Sequence, residues 1–353
     1  MHGGDVWQVA EELGIQASEL LDFSANINPR GLPPRAKERL ARDASDPQLL
    51  SFYPDLSARR LRHALSEHLS IDPDAIVVGP GAEALLAPIL RCLQPKRALI
   101  PIPAFSEYRR VAGQQQIEVT PFFLEREELF RTPVDRFCQE FGAQQHDVIF
   151  LNNPHNPSGA MLDAEEVRRV RAAANSSGAM LLLDEAFIDY TPHASLVRDA
   201  AAAPGLIVLR SLTKFYGCPA LRVGYAVADP ATIRRIQSLL PTWPVTQLAI
   251  DALAEAVADH EYAEASLREN AVRRQALASS LGALGVFVFP SAANYLLLEL
   301  PAPVPELRAH LIANHRILIR NCDSYEGLAP ARYVRVAVRT AADNHRLIRA
   351  FVS

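Results

Sequence analysis

The sequence predicts an α/β fold in which helices cover both faces of a mainly parallel sheet. Three short apolar runs, 148–151, 180–183 and 206–209, each stop at turn or polar residues, as expected for strands buried on both faces. A fourth apolar run, 76–78, passes through the glycine-rich turn 79–81 into the start of a helix. Strands that alternate with helices in this way are typical of parallel sheets.

The remaining elements follow in order along the chain. They are a helix after Asp55 with the apolar stripe Leu61, Leu65 and Leu69, a strand over 224–227, a helix that begins near Thr246, and strands over 294–298 and 333–338. No repeat, low-complexity tract or flexible linker interrupts this series, so the sequence does not indicate an appended module.

Composition restricts the possible functions. The chain has 353 residues, of which 49% are hydrophobic and 22% charged, and this length is ample for two domains. Its net charge of −4 argues against nucleic acid as a partner. The sequence begins without a basic segment followed by an apolar one, and no run is long enough to span a bilayer. We therefore expect a cytoplasmic protein with no membrane partner.

The cysteines carry no recognisable function. Cys92, Cys138, Cys218 and Cys322 are scattered without the spacing of metal ligands. We expect no metal site. Cys218 lies four residues after Lys214, but nothing in the sequence makes its thiol reactive, and we assign it no role.

Polar residues follow the predicted strands at the points where the strands end. Asp184 and Glu185 follow the run 180–183, and Asn156 lies just beyond the run 148–151. Because the carboxyl ends of parallel strands form the ligand crevice of an open α/β sheet, these side chains are expected to meet there.

The segment after 206–209 is typical of an anion site beside a reactive amine. Ser211, Thr213 and Arg222 can hold a phosphate dianion, while the amine of Lys214 reaches an aldehyde on the same small molecule. The turn at Gly81 would add backbone amides at a helix N-terminus. If each segment stood alone, a solvated basic loop would explain the lysine segment about equally well, and an ordinary strand-to-helix turn would be the preferred interpretation of the glycine segment.

Together these motifs resemble the fold type I pyridoxal-phosphate enzymes. The resemblance rests on the order and spacing of Asn-Pro-His-Asn-Pro-Ser-Gly over 153–159, Asp-Glu-Ala-Phe over 184–187 and Ser-Leu-Thr-Lys over 211–214. Near relatives within the class are the histidinol-phosphate aminotransferases. The opening over 2–4 with 21–29, and the late segments over 317–320 and 333–337, are similar to the L-threonine-O-3-phosphate decarboxylases of cobalamin biosynthesis. This similarity extends over essentially the whole chain.

The resemblance implies an architecture and an assembly. A large pyridoxal-phosphate-binding domain over 26–250 would contain a mainly parallel seven-stranded sheet flanked by helices. A smaller α+β domain would combine 1–25 with 251–353. The active form would be a homodimer in which Tyr53 reaches the cofactor phosphate of the neighbouring subunit, although the sequence alone describes Tyr53 as a turn residue.

The resemblance also assigns cofactor-binding residues. Lys214 would bond to the aldehyde of pyridoxal phosphate, Asp184 would pair with the pyridine nitrogen, and Asn156 would donate to the ring oxygen. Phe105 would stack on the ring, unless it is a core phenylalanine. The residues implied around the cofactor phosphate are Ser211, Thr213, Arg222, Gly81, Ala82 and Glu83.

Substrate residues are implied in the same way. Arg335 would receive the carboxylate of an amino acid, and Asn156 would lie beside the substrate. His2, Asn26 and Arg320 would surround its phosphate. Each of these three also has an ordinary interpretation, as a residue at a frayed chain end, in a turn and on a solvated surface respectively.

Three functions follow as expectations. The first is decarboxylation of L-threonine O-3-phosphate to (R)-1-amino-2-propanol O-2-phosphate, with Lys214 as the proton donor. The second is histidinol-phosphate transamination with 2-oxoglutarate. Phe187 stands where those aminotransferases commonly have tyrosine, and this difference favours the decarboxylase, whose relatives also have phenylalanine there. His155 replaces the usual asparagine of the motif over 153–157, although its side chain need not touch the cofactor ring. The third is a ligand-sensing protein without catalysis, which the acidic pI and the presence of Lys214 disfavour.

Overall fold

The computed structural model describes residues 3–143, 145–301 and 303–352. Its α-helices, in chain order, are α1 (Val6–Leu13), α2 (Pro34–Ala44), α3 (Pro47–Leu50), α4 (Arg59–Leu69), α5 (Ala82–Leu93), α6 (Ser106–Gln114), α7 (Val134–Ala143), α8 (Ala164–Ser176), α9 (Val197–Ala202), α10 (Leu212–Phe215), α11 (Pro230–Gln237), α12 (Gln247–Val257), α13 (His260–Ala283), α14 (Val304–His315) and α15 (Ala341–Val352). Short 3-10 helices occur at Ala17–Glu19, Pro73–Ala75, Ile188–Tyr190, Pro192–Ala194 and Pro219–Leu221. Within the described ranges, no helix is both long and apolar enough to cross a membrane.

The strands form three sheets. In chain order they are β1 (Leu21–Asp22), β2 (Ile76–Gly79), β3 (Arg97–Ile102), β4 (Glu118–Phe123), β5 (Val148–Asn152), β6 (Met180–Asp184), β7 (Leu206–Ser211), β8 (Gly224–Val227), β9 (Phe287–Val288), β10 (Tyr295–Glu299), β11 (Ile317–Leu318), β12 (Arg320–Asn321) and β13 (Tyr333–Ala337).

The large sheet has seven strands in the order β2-β8-β7-β6-β5-β3-β4. The pairs from β7 to β4 are parallel, whereas β8 is antiparallel to both of its neighbours. The predicted α/β class with a mainly parallel seven-stranded sheet is therefore confirmed. Because β5, β6 and β7 are adjacent and parallel, the residues at their carboxyl ends meet at one edge.

Both faces of the large sheet are buried, which explains the continuous apolar runs in the sequence. Along β6, Leu181 and Leu183 pack into the core on one face, and Leu182 packs into the core on the other. The same alternation holds in β7, where Val208 faces the first core and Leu209 the second. Because a doubly covered sheet buries side chains on both faces, most of its strand residues are apolar.

A second, antiparallel sheet has the order β12-β13-β10-β9, and β1 pairs in parallel with β11. A separate apolar core lies against these strands and contains Leu21, Phe23 and Leu298. The chain near residue 23 thus packs with the C-terminal part of the protein, although the two are far apart in sequence.

The helix α12 packs against α2 and α4. Its buried residues Ile250 and Leu253 belong to the core of the large sheet. Between these helices, the buried carboxylate of Asp251 accepts a hydrogen bond from Arg39 of α2 at 2.8 Å and one from Arg60 of α4 at 3.2 Å. The expected boundary at residue 250 therefore lies inside one continuous helix.

Candidate active site

Lys214 lines a cavity of about 210 Å³ at the carboxyl edge of the large sheet. It lies in α10, directly after β7, and its backbone carbonyl accepts from the amide of Asn28 at 3.0 Å. Burial lowers the pKa of its amine to about 8, with help from the positive charges of Arg222 and Arg335. A lysine with a pKa in this range is partly neutral at neutral pH and can act as a nucleophile.

One end of the cavity is suited to a phosphate group. The hydroxyls of Ser211 and Thr213 lie 2.8 Å apart and line the cavity together with Arg222. Gly81, at the N-terminus of α5, has a φ of +98°, and a Cβ there would lie 2.8 Å from Nη2 of Arg222. The glycine thus allows backbone and guanidinium to approach each other closely, and the helix N-terminus adds amide donors.

Asp184 ends β6 and lies at the inner wall of the cavity. Its Oδ2 accepts a hydrogen bond from the hydroxyl of Tyr108, and its Oδ1 accepts from the amide of Ala186 at 2.9 Å. Burial raises the pKa of this carboxyl, while the Tyr108 and Ala186 contacts and the charge of Lys214 oppose the rise. A cationic ring nitrogen beside it would lower the pKa of this carboxyl and favour the carboxylate.

Asn156 is fixed by contacts that use its backbone amide and its side-chain oxygen. Its amide donates to Oδ1 of Asn152 at 2.7 Å. Its Oδ1 accepts from Nη1 of Arg335 at 2.5 Å and from the hydroxyl of Tyr325 at 3.1 Å. Neither of these side-chain contacts, both made within the described residues, uses Nδ2 of Asn156. This amide nitrogen can therefore donate a hydrogen bond into the cavity.

His155 has a structural position in the same loop. Its ring nitrogens contact the hydroxyl of Ser158 at 2.7 Å and the carbonyl of Pro103 at 2.8 Å. Burial lowers its pKa to about 4, so the ring is neutral at physiological pH. The replacement of the usual asparagine by histidine therefore places no charge in the cavity.

Aromatic side chains form part of the cavity wall. Phe105 lines the cavity and meets Tyr108 edge to face at 5.6 Å. Phe187 also lines it and packs edge to face against Tyr295 at 4.9 Å. Phe105 is thus available to stack on a planar ligand, and Phe187 offers no hydroxyl.

Two arginines extend into the cavity from the smaller sheet. Arg320 on β12 lies directly across from Arg335 on β13, and both are 7% exposed. Arg335 donates to the carbonyl of Ser24 at 3.1 Å, and Arg320 donates to Oγ of Ser324 at 2.9 Å. The described cavity lining contains the basic residues Lys214, Arg222, Arg320 and Arg335 and the acidic residues Glu83 and Asp184. The excess of basic groups favours an anionic ligand.

The segment between β1 and α2 closes the wall between Lys214 and the arginines. Asn26 is buried and lines the cavity, and its Oδ1 has no hydrogen-bond partner among the described residues. Gly3 approaches Ser24 so closely that a Cβ would lie 2.3 Å from the Ser24 carbonyl oxygen. This close approach explains why residue 3 is glycine. The predicted substrate residue His2 lies outside the described residues.

The cavity brings together most of the residues that the sequence singles out. They are Asn26, Gly81, Ala82, Glu83, Phe105, Asn156, Asp184, Ser211, Thr213, Lys214, Arg222, Arg320 and Arg335. Tyr53 is not in this lining: its side chain is 76% exposed and stacks on Trp243 at 4.3 Å.

Sequence reasoning missed several polar residues of the site. These are Ser24, Tyr108, Asn152, Ser324 and Tyr325. Tyr108 follows Phe105 by three residues, so helical periodicity places both on one face of the segment that becomes α6. No comparable local signal indicates Ser324 or Tyr325, whose contacts are made across the cavity.

Comparison with known proteins agrees with this geometry. The family model described as aminotransferase class I and II matches residues 18–351. The chain is 36% identical to the threonine-phosphate decarboxylase of Salmonella typhimurium, over 99% of this chain and 95% of that protein. It is 31% identical to the adenosylcobalamin biosynthesis bifunctional protein CobDQ of Leptospira interrogans, over 99% of this chain and 40% of that one.

A solved structure shows the same fold. The histidinol-phosphate aminotransferase of Clostridium acetobutylicum superposes with a TM-score of 0.86 at 27% identity, covering 94% of this chain and 98% of that one. The family match extends over nearly the entire chain. The chain belongs to the class I and II aminotransferase family.

Proposed function

We propose that the protein decarboxylates L-threonine O-3-phosphate to (R)-1-amino-2-propanol O-2-phosphate in cobalamin biosynthesis. The observation that carries this proposal is the pair of buried arginines, Arg320 and Arg335, in the cavity that contains Lys214. Two guanidinium groups suit a small substrate with a phosphate and a carboxylate. The relatives that are named for threonine-phosphate decarboxylation and adenosylcobalamin biosynthesis support the same substrate and pathway.

The residues present fit pyridoxal phosphate. Gly81 leaves room where a Cβ would collide with Arg222, and the buried Asp184 can balance a cationic ring nitrogen. Lys214 can bond to the aldehyde, Phe105 can cover the ring, and Ser211, Thr213 and Arg222 can hold the phosphate. When bound, this cofactor supplies an electron-accepting pyridine ring for the electrons released at the substrate α-carbon.

The protein itself contributes orientation and proton transfer. Arg320 and Asn26 are proposed to hold the substrate phosphate, and Arg335 to lie near its carboxylate. Anchoring the substrate at both ends fixes the rotation of its α-carbon, which determines which bond there breaks. After carbon dioxide leaves, Nζ of Lys214 delivers a proton to that carbon, a role suited to an amine whose pKa is about 8.

We also propose a homodimer. Tyr53 lies in a segment that also exposes Phe52 at 62% and Leu56 at 59%, and it stacks on Trp243, which is 46% exposed. Clusters of this kind mark interaction surfaces. In the homodimer that we propose, Tyr53 reaches the cofactor phosphate of the neighbouring subunit. The cytoplasmic location and the absence of a nucleic-acid partner remain predictions.

The division into domains is likewise a proposal. We retain the assignment of 1–25 to the smaller domain because Leu21 and Phe23 pack in its core. Since α12 crosses residue 250 and packs with the large-sheet core, we place the second boundary after this helix instead. Limited proteolysis should then spare the segment Gln247–Val257 while the large domain stays folded.

The decisive experiment is product analysis with the cofactor-loaded protein. L-threonine phosphate should yield carbon dioxide and (R)-1-amino-2-propanol phosphate in equal amounts, without consumption of an oxo-acid. Histidinol phosphate with 2-oxoglutarate serves as the competing reaction. Efficient transamination of this pair, together with no carbon dioxide from threonine phosphate, would replace the decarboxylase by the aminotransferase.

A further inference from the structure

Tyr325 lies between the two arginines that extend into the cavity. Its hydroxyl donates to Oδ1 of Asn156 at 3.1 Å and accepts from Nη1 of Arg335 at 3.1 Å. Its ring faces Arg320, whose guanidinium carbon is 5.7 Å from the ring centroid. The side chain is buried and lines the cavity. One tyrosine thus contacts both arginines, but with different groups.

The two arginines face each other on neighbouring strands. Arg320 and Arg335 are cross-strand neighbours in β12 and β13, and like charges directly opposite each other on a sheet repel. Burial lowers the pKa of Arg320, and the neighbouring Tyr325 side chain opposes that shift. The hydroxyl of Tyr325 accepts from Arg335 and donates to Asn156, so it keeps the Arg335 guanidinium beside Asn156. The electron-rich face of the Tyr325 ring stabilises the guanidinium of Arg320. The two cations are thereby directed to different positions.

The loop that carries Tyr325 is held by an internal hydrogen bond and by contacts with the large domain. Within it, Oδ1 of Asp323 accepts from the amide of Ala331 at 2.7 Å, which closes the connection between β12 and β13. On the outer side, Glu326 forms an ion pair with Arg109 of α6 at 3.2 Å. A Cβ at Gly327 would lie 3.0 Å from Ile102, at the end of β3. Tyr325 is therefore held against both sheets and is preorganised to position other groups.

We propose that Tyr325 is a positioning residue that separates a carboxylate subsite at Arg335 from a phosphate subsite at Arg320. Its hydroxyl fixes the guanidinium that receives the carboxylate, and its ring supports the guanidinium that receives the phosphate. This inference rests on the proposed function, because it assigns the two anionic groups of the proposed substrate to two separate arginines.

The test uses two ligands that cannot react because they lack an amine. One is 3-phosphonooxybutanoate, which has a carboxylate and a phosphate, and the other is isopropyl phosphate, which has only the phosphate. Their dissociation constants are measured by calorimetry on the cofactor-loaded wild type and on Tyr325→Phe and Tyr325→Leu. Tyr333→Phe is the matched control, since Tyr333 is a buried tyrosine of β13 outside the described cavity lining.

The hydroxyl and the ring should have separable effects. Tyr325→Phe should weaken 3-phosphonooxybutanoate about 10-fold, the worth of one hydrogen bond to a charged group, and leave isopropyl phosphate within about twofold. Tyr325→Leu should weaken both ligands. Tyr333→Phe should change neither. Cofactor absorbance and the thermal midpoint of each variant verify that the site is folded.

Failure of this inference is distinct from failure of the proposed function. Carbon dioxide release from L-threonine phosphate by the wild type tests the function and needs no variant. Equal losses for both ligands in Tyr325→Phe, or no loss for either, would overturn the separation of subsites even in an active decarboxylase. Absence of binding of either ligand to the wild type would overturn it as well.

Discussion

The hydroxyl of Tyr108 donates a hydrogen bond to Oδ2 of Asp184 inside the protein. Both side chains are buried, and burial together with the adjacent carboxylate raises the pKa of Tyr108 well above its usual value. The tyrosine therefore stays protonated and remains a donor at every physiological pH. It supports the ionised form of Asp184 against the effect of burial.

This relationship predicts that Tyr108→Phe weakens cofactor retention. Loss of a hydrogen bond to a carboxylate costs about 1.5–3 kcal/mol, so the dissociation constant for pyridoxal phosphate should rise by about 10-fold or more. Titration of the cofactor-free protein, followed by absorbance, measures it. Tyr333→Phe serves as the control, and equal affinity in both variants would contradict the role of Tyr108.

Lys214→Ala should abolish the covalent link to the cofactor without unfolding the chain. The chain contains three lysines, Lys37, Lys96 and Lys214, so the test is simple to read. After borohydride reduction, peptide mapping should place the cofactor adduct on Lys214 in the wild type and in Lys96→Ala. An adduct on Lys37 or Lys96 in the wild type would refute the assignment.

The pKa of Lys214 predicts a pH-dependent stability of the cofactor-free protein. Because the folded pKa of about 8 lies below the ordinary value of 10.5, the unfolded chain binds more protons between these pH values, and stability rises with pH there. At pH 7 the full penalty is present. The free energy of unfolding of Lys214→Met should then exceed that of the wild type by about 1–3 kcal/mol. This range already allows for the partial exposure of the Lys214 side chain.

The difference should shrink as the pH rises from 8 towards 10.5. Urea unfolding at several pH values measures this trend. Lys96→Met is the control, because Lys96 is exposed and should show no such convergence. A stability difference that does not change over this range would mean that Lys214 does not titrate as described.

Arg320→Ala should impair use of L-threonine phosphate while the cofactor stays bound. Loss of a charge-assisted contact to phosphate predicts a fall in kcat/KM equivalent to about 1.5–3 kcal/mol. Arg316→Ala provides a control, since Arg316 is an exposed residue paired with Glu19. Unchanged kcat/KM in Arg320→Ala would remove Arg320 from the substrate site.

Tyr53→Phe should increase cofactor loss on dilution if Tyr53 reaches the phosphate in a neighbouring subunit. The difference from wild type should be greatest at concentrations where sedimentation velocity still shows a dimer, because only in the dimer does the wild type have the Tyr53 hydroxyl at the neighbouring phosphate. A fully active wild-type monomer in dilute solution would remove the basis for this role.

The strands of the large sheet differ in how clearly the sequence predicts them. The runs that became β5, β6 and β7 are uninterrupted and apolar, and the polar residues after them could be placed at one edge. By contrast, β3 contains Pro101 and β4 contains Pro121. Both strands pair in the sheet although proline has no backbone N–H to donate. Proline within a run argues against a strand, so these two were not predicted.

The site shows the same division between local and long-range information. Lys214, Asp184 and Asn156 belong to contiguous motifs, whereas Tyr325 meets Asn156 across 169 positions of sequence. The packing of the smaller sheet against the large one creates that contact, and no periodicity or spacing within either segment encodes it.

The stretch from Phe23 to Asn28 has a consequence for handling the protein. At one end, the Phe23 carbonyl accepts from the amide of Ala337, and the Ser24 carbonyl accepts from the guanidinium of Arg335. At the other end, the amide of Asn28 donates to the Lys214 carbonyl. A single strip of six residues therefore connects the backbone of Lys214 with the side chain of Arg335. We therefore expect a truncation or insertion that displaces this strip to disturb Lys214 and Arg335 together, and such changes are best avoided in preparing the protein.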